Sequence, residues 1–141
     1  MKTRALAALG VLISAGVHLT MWFNGVRDQH VVGPAFLVNA AGGVAIAVLL
    51  VTWRHWLPLL LAAGFGASTL GAFVVAATVG LFGVHDHWTG GYVWTAAVSE
   101  IVALLAAVLA GLQEGWWSRA SMSHQHHHAG GRRLAHLAHH Q

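Results

Sequence analysis

Long apolar stretches alternate with short polar ones along this chain, and they set the architecture before any single residue does. The apolar runs cover residues 5–24, 35–52, 57–83 and 92–112. A helix rises ~1.5 Å per residue, so about 20 apolar residues cross a ~30 Å hydrocarbon core. Each run reaches or approaches that length, and the pattern predicts four spanning helices. Short connections make consecutive helices antiparallel neighbours. The expected fold is an all-α integral membrane protein, an up-down-up-down four-helix bundle over residues 1–112. A polar, disordered tail is expected over residues 113–141.

Within three of the runs, small residues recur at helical spacing. These rows are Asn39, Gly43 and Ala47; Gly64, Ser68 and Gly71; and Ala96, Glu100, Ala103, Ala107 and Gly111. Lipid tails give helices no hydrophobic reason to pair, so close packing of small side chains must supply much of the attraction. These rows are therefore the expected helix contacts. The tryptophans support the same frame. Trp22, Trp53, Trp56, Trp88, Trp94, Trp116 and Trp117 lie at or near run ends, where an indole keeps its ring apolar and its N–H hydrated.

Composition narrows the class further. Hydrophobic residues make up 57% and charged residues 8% of the chain, against about 25% charged in ordinary soluble domains. The absence of cysteine excludes disulfides, thiolate metal sites and cysteine nucleophiles. Lys2 and Arg4 ahead of the first run resemble the start of a signal peptide. That run exceeds the usual h-region, and no clean small-residue cleavage site closes it, although Ser14-Ala15-Gly16 is small. It is read as an uncleaved first helix.

The charges then orient the bundle. Lys2, Arg4, Arg54, Arg119, Arg132 and Arg133 fall on one side, and only Arg27, offset by Asp28, falls on the other. The positive-inside rule places both termini in the cytoplasm, in a plasma-membrane protein. The net charge of +3 reads as this topology signal. It is not a nucleic-acid footprint, because no basic face exists outside the tail.

Two ionisable residues fall inside the runs. Glu100 lies roughly 12 Å below the outer end of the fourth run, and His18 roughly 9 Å below that of the first. A carboxylate at membrane depth costs about 2.5–3.5 kcal/mol and usually faces the bundle interior. The pair reads either as a buried hydrogen bond pinning the first helix to the fourth or as a site for protons, a metal or a small ligand. The outer connections extend it into a polar patch of Arg27, Asp28, His30, Asn39, His85, Asp86 and His87. His85 and His87, two apart, could chelate Zn(II), Cu(II) or Ni(II), with Asp86 in support. A plain solvated loop is the alternative. His18 and Met21 share a helix face. Haem is disfavoured, because only His18 is clearly intramembrane.

The tail holds seven of the twelve histidines, including His124, His126, His127 and His128. It reads as a weak divalent-metal buffer or as a mildly basic segment beside anionic lipid.

Three groups of residues carry a family resemblance. They are His18-Leu19 with Trp22-Phe23, Gly25 and Arg27; Gly33-Pro34 with Phe36-Leu37 and Asn39; and Gly80 to Gly83 with His85. In these, the chain resembles a group of small actinobacterial membrane proteins with four predicted spans. The resemblance covers residues 18–85. It implies the same architecture, draws attention to His18, Arg27, Asn39 and His85, and implies no activity.

Three functions follow from these features. The first is a non-enzymatic accessory or interaction role that uses the outer patch, in a homo-oligomer or a larger membrane complex. The second is metal handling or sensing. The third is proton-coupled transport by an oligomer, with Glu100 as the protonatable group. An enzyme is the least supported class, because no nucleotide loop, nucleophile constellation or paired catalytic carboxylates occur.

Overall fold

The computed structural model describes residues 2–80 and 90–115. The described residues form four long helices and no strand: α1 (Lys2–Phe23), α2 (Val32–Thr52), α3 (Trp56–Thr78) and α4 (Gly91–Gln113). A single 3-10 turn, Val26–Asp28, sits between α1 and α2. Every helix is long and apolar enough to cross a membrane. The chain is therefore a small multi-pass membrane protein built as a four-helix bundle. Residues 81–83 of the third run lie outside the described residues, as do Trp88 and residues 116–141, while Gln113, expected to open the tail, still belongs to α4 and Glu114 caps it.

Side-chain size is sorted from inside to outside. The core is mostly alanine, with Ala7, Ala47, Ala62, Ala103, Ala107 and Ala110 buried around Val11, Leu50 and Leu59. Leucines and valines such as Leu9, Leu12, Val48, Val51, Leu105 and Leu109 point outward. Lipid solvates the large side chains, while the small ones let the helix backbones approach.

Three glycines mark close approaches between the long helices. A Cβ on Gly10 would stand 2.9 Å from the backbone of Ser99 and Ala103, so α1 and α4 meet there. One on Gly66 would lie 2.8 Å from the Glu100 carbonyl, where α3 crosses α4. One on Gly43 would meet Ala15 at 2.9 Å and Phe65 at 3.2 Å. The rows expected on α2 and α4 are largely inward, since Gly43, Ala47, Ala103, Ala107 and Gly111 are buried. The row expected on α3 is not. Gly64, Ser68 and Gly71 are exposed, and the face through Leu59, Ala62, Phe65 and Gly66 is buried instead. Small residues recur on both faces of this helix, so spacing alone did not separate them.

The order of helices around the bundle departs from simple neighbour packing. α1 packs extensively on α2 and α4, and α4 on α3, whereas α2 and α3 touch little despite their short connection. They meet near the end that carries the chain termini, through the cluster of Ala47, Leu50, Leu59 and Ala62. Beyond the contact of Phe65 with Gly43 they line opposite walls of a cavity.

Arg4 ties the termini end together. Its guanidinium grips Glu114 through Nε to Oε1 at 2.6 Å and Nη2 to Oε2 at 2.6 Å. It also donates to the carbonyls of Trp53 at 3.2 Å and His55 at 2.6 Å. One side chain thus joins the start of α1, the α2–α3 connection and the end of α4. The pairing suits both helix ends. A cation in a first turn and an anion after a last turn each oppose the helix dipole, and the fork neutralises both. His55 caps α3, its Nδ1 accepting from the Leu57 N–H at 3.3 Å, and Pro58 follows in the first turn, where no intrahelical N–H is required.

The Arg4 hydrogen bonds hold the Glu114 carboxyl below its ordinary value of 4.5. A depressed carboxylate contributes stability above the unfolded pKa and loses it as pH falls through the folded one. Acidification below about pH 4.5 is therefore expected to loosen the termini end first. Amide exchange in residues 2–8 and 108–114 should accelerate before that of residues 12–20. Uniform acceleration along both helices would contradict this.

Candidate functional site

The site is assembled where α1, α3 and α4 converge. Gly10 lets α1 lie against the α4 backbone at Ser99 and Ala103. One turn onward, the antiparallel arrangement brings Ser14 opposite Glu100. Gly66 brings α3 to the Glu100 carbonyl from the other side. Glu100 is 2% exposed and Ser14 is fully buried.

The polar contacts there have a defined direction. Ser14 Oγ donates to Glu100 Oε1 at 3.1 Å. His18, one turn along α1, places Nδ1 2.8 Å from the Ser14 carbonyl oxygen. A carbonyl only accepts, so Nδ1 carries the proton and a neutral ring turns its Nε2 lone pair outward. That Nε2 stands 3.9 Å from Glu100 Oε1. The imidazole is steadied by Phe36 of α2, with ring centroids 4.8 Å apart and planes tilted by 57°. Thr69 of α3 flanks the carboxyl, and its hydroxyl also donates to the Phe65 carbonyl at 2.7 Å.

Glu100 and His18 form the floor of a cavity of about 720 Å³. One wall is α2, through Ala35, Phe36, Asn39 and Gly42. The other is α3, through Ser68, Thr69, Ala72 and Phe73. Val26 and Gln29 border it at the end opposite the termini, and Val93, Ala96 and Ala97 of α4 complete the interior. The volume suits a small organic molecule, and an apolar wall with a few convergent polar groups is the usual form of a ligand site. Because α2 and α3 scarcely touch at this level, the cavity is a cleft opening sideways between them.

Of the residues singled out by sequence, the structure brings together His18, Glu100 and Asn39, which share this cleft. Met21 lines it too. Arg27 and Asp28 do not. They pair with each other at 3.7 Å, with side chains 55% and 79% exposed. His30 is exposed on the α1–α2 connection. His85, Asp86 and His87, and the tail residues His124, His126, His127 and His128, lie outside the described residues. Among the described residues no group of three or more histidines or carboxylates is placed to hold a metal ion.

Several site residues escaped the sequence reading. Ser14 was noticed only as a small residue, although its spacing of four from His18 on a helix was the available signal. Phe36 was quoted only within the resemblance and Gln29 carried no signal, because only the tertiary arrangement turns them into the cleft. In comparisons with known proteins, no family model, no curated protein and no solved structure matches this chain.

Proposed function

We propose that this membrane protein acts without catalysis, as an accessory or binding component that holds a small amphipathic molecule in the α2–α3 cleft. The observation that carries this reading is the cleft itself. It is a mostly apolar space of about 720 Å³ that ends on a buried carboxyl and imidazole. Its apolar walls suit a hydrocarbon body and its floor suits a polar head. The excess of Lys2, Arg4 and Arg54 over Arg27 supports placing the termini end in the cytoplasm and the mouth at Gln29 on the outer side.

Native mass spectrometry tests this directly. Protein equilibrated with a total membrane extract should carry a non-covalent adduct. Ala35→Trp with Ala72→Trp should abolish it, because both alanines line the cleft yet are exposed and so can enlarge without entering the core. A bare wild-type protein, or an adduct that survives both tryptophans, would sink the reading.

Proton-coupled transport by an oligomer is the second reading. It is favoured by one observation, the 3.9 Å approach of Glu100 and His18 inside an accessible cleft. It predicts that proteoliposomes couple substrate uptake to a pH gradient and that Glu100→Gln uncouples them. Binding without any gradient-driven flux would leave the accessory role standing alone.

A further inference from the structure

The hydrogen-bond inventory of the cleft is lopsided. The hydroxyl of Ser14 is directed to Glu100, those of Ser68 and Thr69 to the Phe65 carbonyl, and His18 Nδ1 to the Ser14 carbonyl. These donors are committed inside the protein. The acceptors are not used up. Glu100 receives Ser14 on Oε1 and is flanked by Thr69, and His18 holds Nε2 3.9 Å from that carboxyl. Gln29 Oε1 is buried with no hydrogen-bond partner among the described residues while its side chain lines the cleft. No lysine or arginine is among the described lining residues.

A head group entering this space therefore meets a carboxyl, an imidazole and the side-chain amides of Gln29 and Asn39, with no lysine or arginine among the described lining residues to receive an anion. A fatty acid or an isolated phosphate would be buried against Glu100 without compensation. A neutral alcohol would satisfy one of these acceptors and an ether none. An ammonium offers several N–H donors and the complementary charge, and its desolvation is offset only where a carboxylate waits. We infer that the cleft selects a lipophilic ammonium, a protonated amine on an apolar body, with the nitrogen at Glu100 and His18 and the hydrocarbon between α2 and α3. This rests on the proposed ligand-binding role and specifies its ligand.

The test is scintillation-proximity binding of tritiated dodecylamine to the full chain in phosphatidylcholine nanodiscs. Unlabelled dodecylamine, dodecanol, dodecanoate and dioleoyl phosphatidylethanolamine serve as competitors. Saturable binding is expected, with dodecanol weaker by about tenfold or more and dodecanoate without effect. Glu100→Gln, nearly isosteric, should weaken dodecylamine by a similar factor and so narrow the gap between dodecylamine and dodecanol. Circular dichroism and monodispersity would verify its fold, and the head-group series on wild type needs no variant. Competition by phosphatidylethanolamine would make a lipid the source of the ammonium, and its failure would make the source a free amine. Both sustain the inference. Equal competition by amine, alcohol and acid would overturn the ammonium preference but keep a binding cleft. No saturable dodecylamine binding would overturn the inference, and the native mass spectrometry adduct would then decide separately whether the cleft reading stands.

Discussion

Arg4→Ala is expected to destabilise the bundle by about 2 kcal/mol, less than the ~3–5 kcal/mol for breaking a fully buried pair because Glu114 remains 28% exposed. Four hydrogen bonds converge on this guanidinium, which is 5% exposed. Removing it strands the Glu114 carboxylate beside the carbonyl-rich end of α4, where the helix dipole opposes it. It also frees the carbonyls of Trp53 and His55. Arg4→Lys should recover only part of the loss, because an ammonium keeps the charge but cannot make the two-point grip. Glu114→Gln should cost less than Arg4→Ala, since a glutamine still accepts one hydrogen bond and the backbone contacts remain. Denaturant titration in detergent micelles, monitored by helicity, would read these differences. An Arg4→Ala variant within about 0.5 kcal/mol of wild type would mean that the pair is only a surface ion pair.

Gly10→Ala should damage the α1–α4 contact by the addition of a single methyl group. Its Cβ would lie 2.9 Å from Ala103 N and Ser99 O. Those are backbone atoms of a neighbouring helix and cannot turn aside like the end of a side chain. The helices must separate, at about 1–3 kcal/mol for overpacking, despite the roughly 1 kcal/mol that alanine gains over glycine in a helix. Gly16→Ala is the matched control. It lies on the same helix with nothing within 4 Å of its Cβ, so it should be neutral or mildly stabilising. The separation forced at Gly10 should also withdraw Ser14 from Glu100, one turn away, and weaken ligand binding along with stability. Equal stability of the two variants would show that α1 and α4 are not in backbone contact in the membrane.

Different physical signals explain which features could be read in advance. Spanning helices are legible because a bilayer demands a continuous apolar length, and that length is written locally. The shared depth of His18 and Glu100 was legible for a similar reason, although the hydrogen bond from α1 to Glu100 comes from Ser14. Depth counts from two run ends put both residues at one level, and the cost of an ionisable group in hydrocarbon turns them inward. Arg4 was read as a topology charge because its partner Glu114 is 110 residues away, and no periodicity links them. The inward face of α3 was missed because glycine, alanine and serine occur on both sides of that helix. The cleft had no sequence signature. It arises from what α2 and α3 fail to do, and helix spacing records contacts better than gaps.

The sideways opening between α2 and α3 changes which concentration a ligand presents to the protein. A compound reaching the cleft from the bilayer is already dissolved in hydrocarbon, so its apparent affinity from water includes its partition coefficient. Each added methylene enriches a compound in the membrane by about 0.8 kcal/mol, whether or not the protein touches it. A homologous series ranked by total added concentration would seem to favour long chains. Ranked by mole fraction in the lipid, the same series would expose how chain length is judged by the walls alone. The protein's discrimination is then concentrated in the head group, because the surrounding lipid has already selected for the tail.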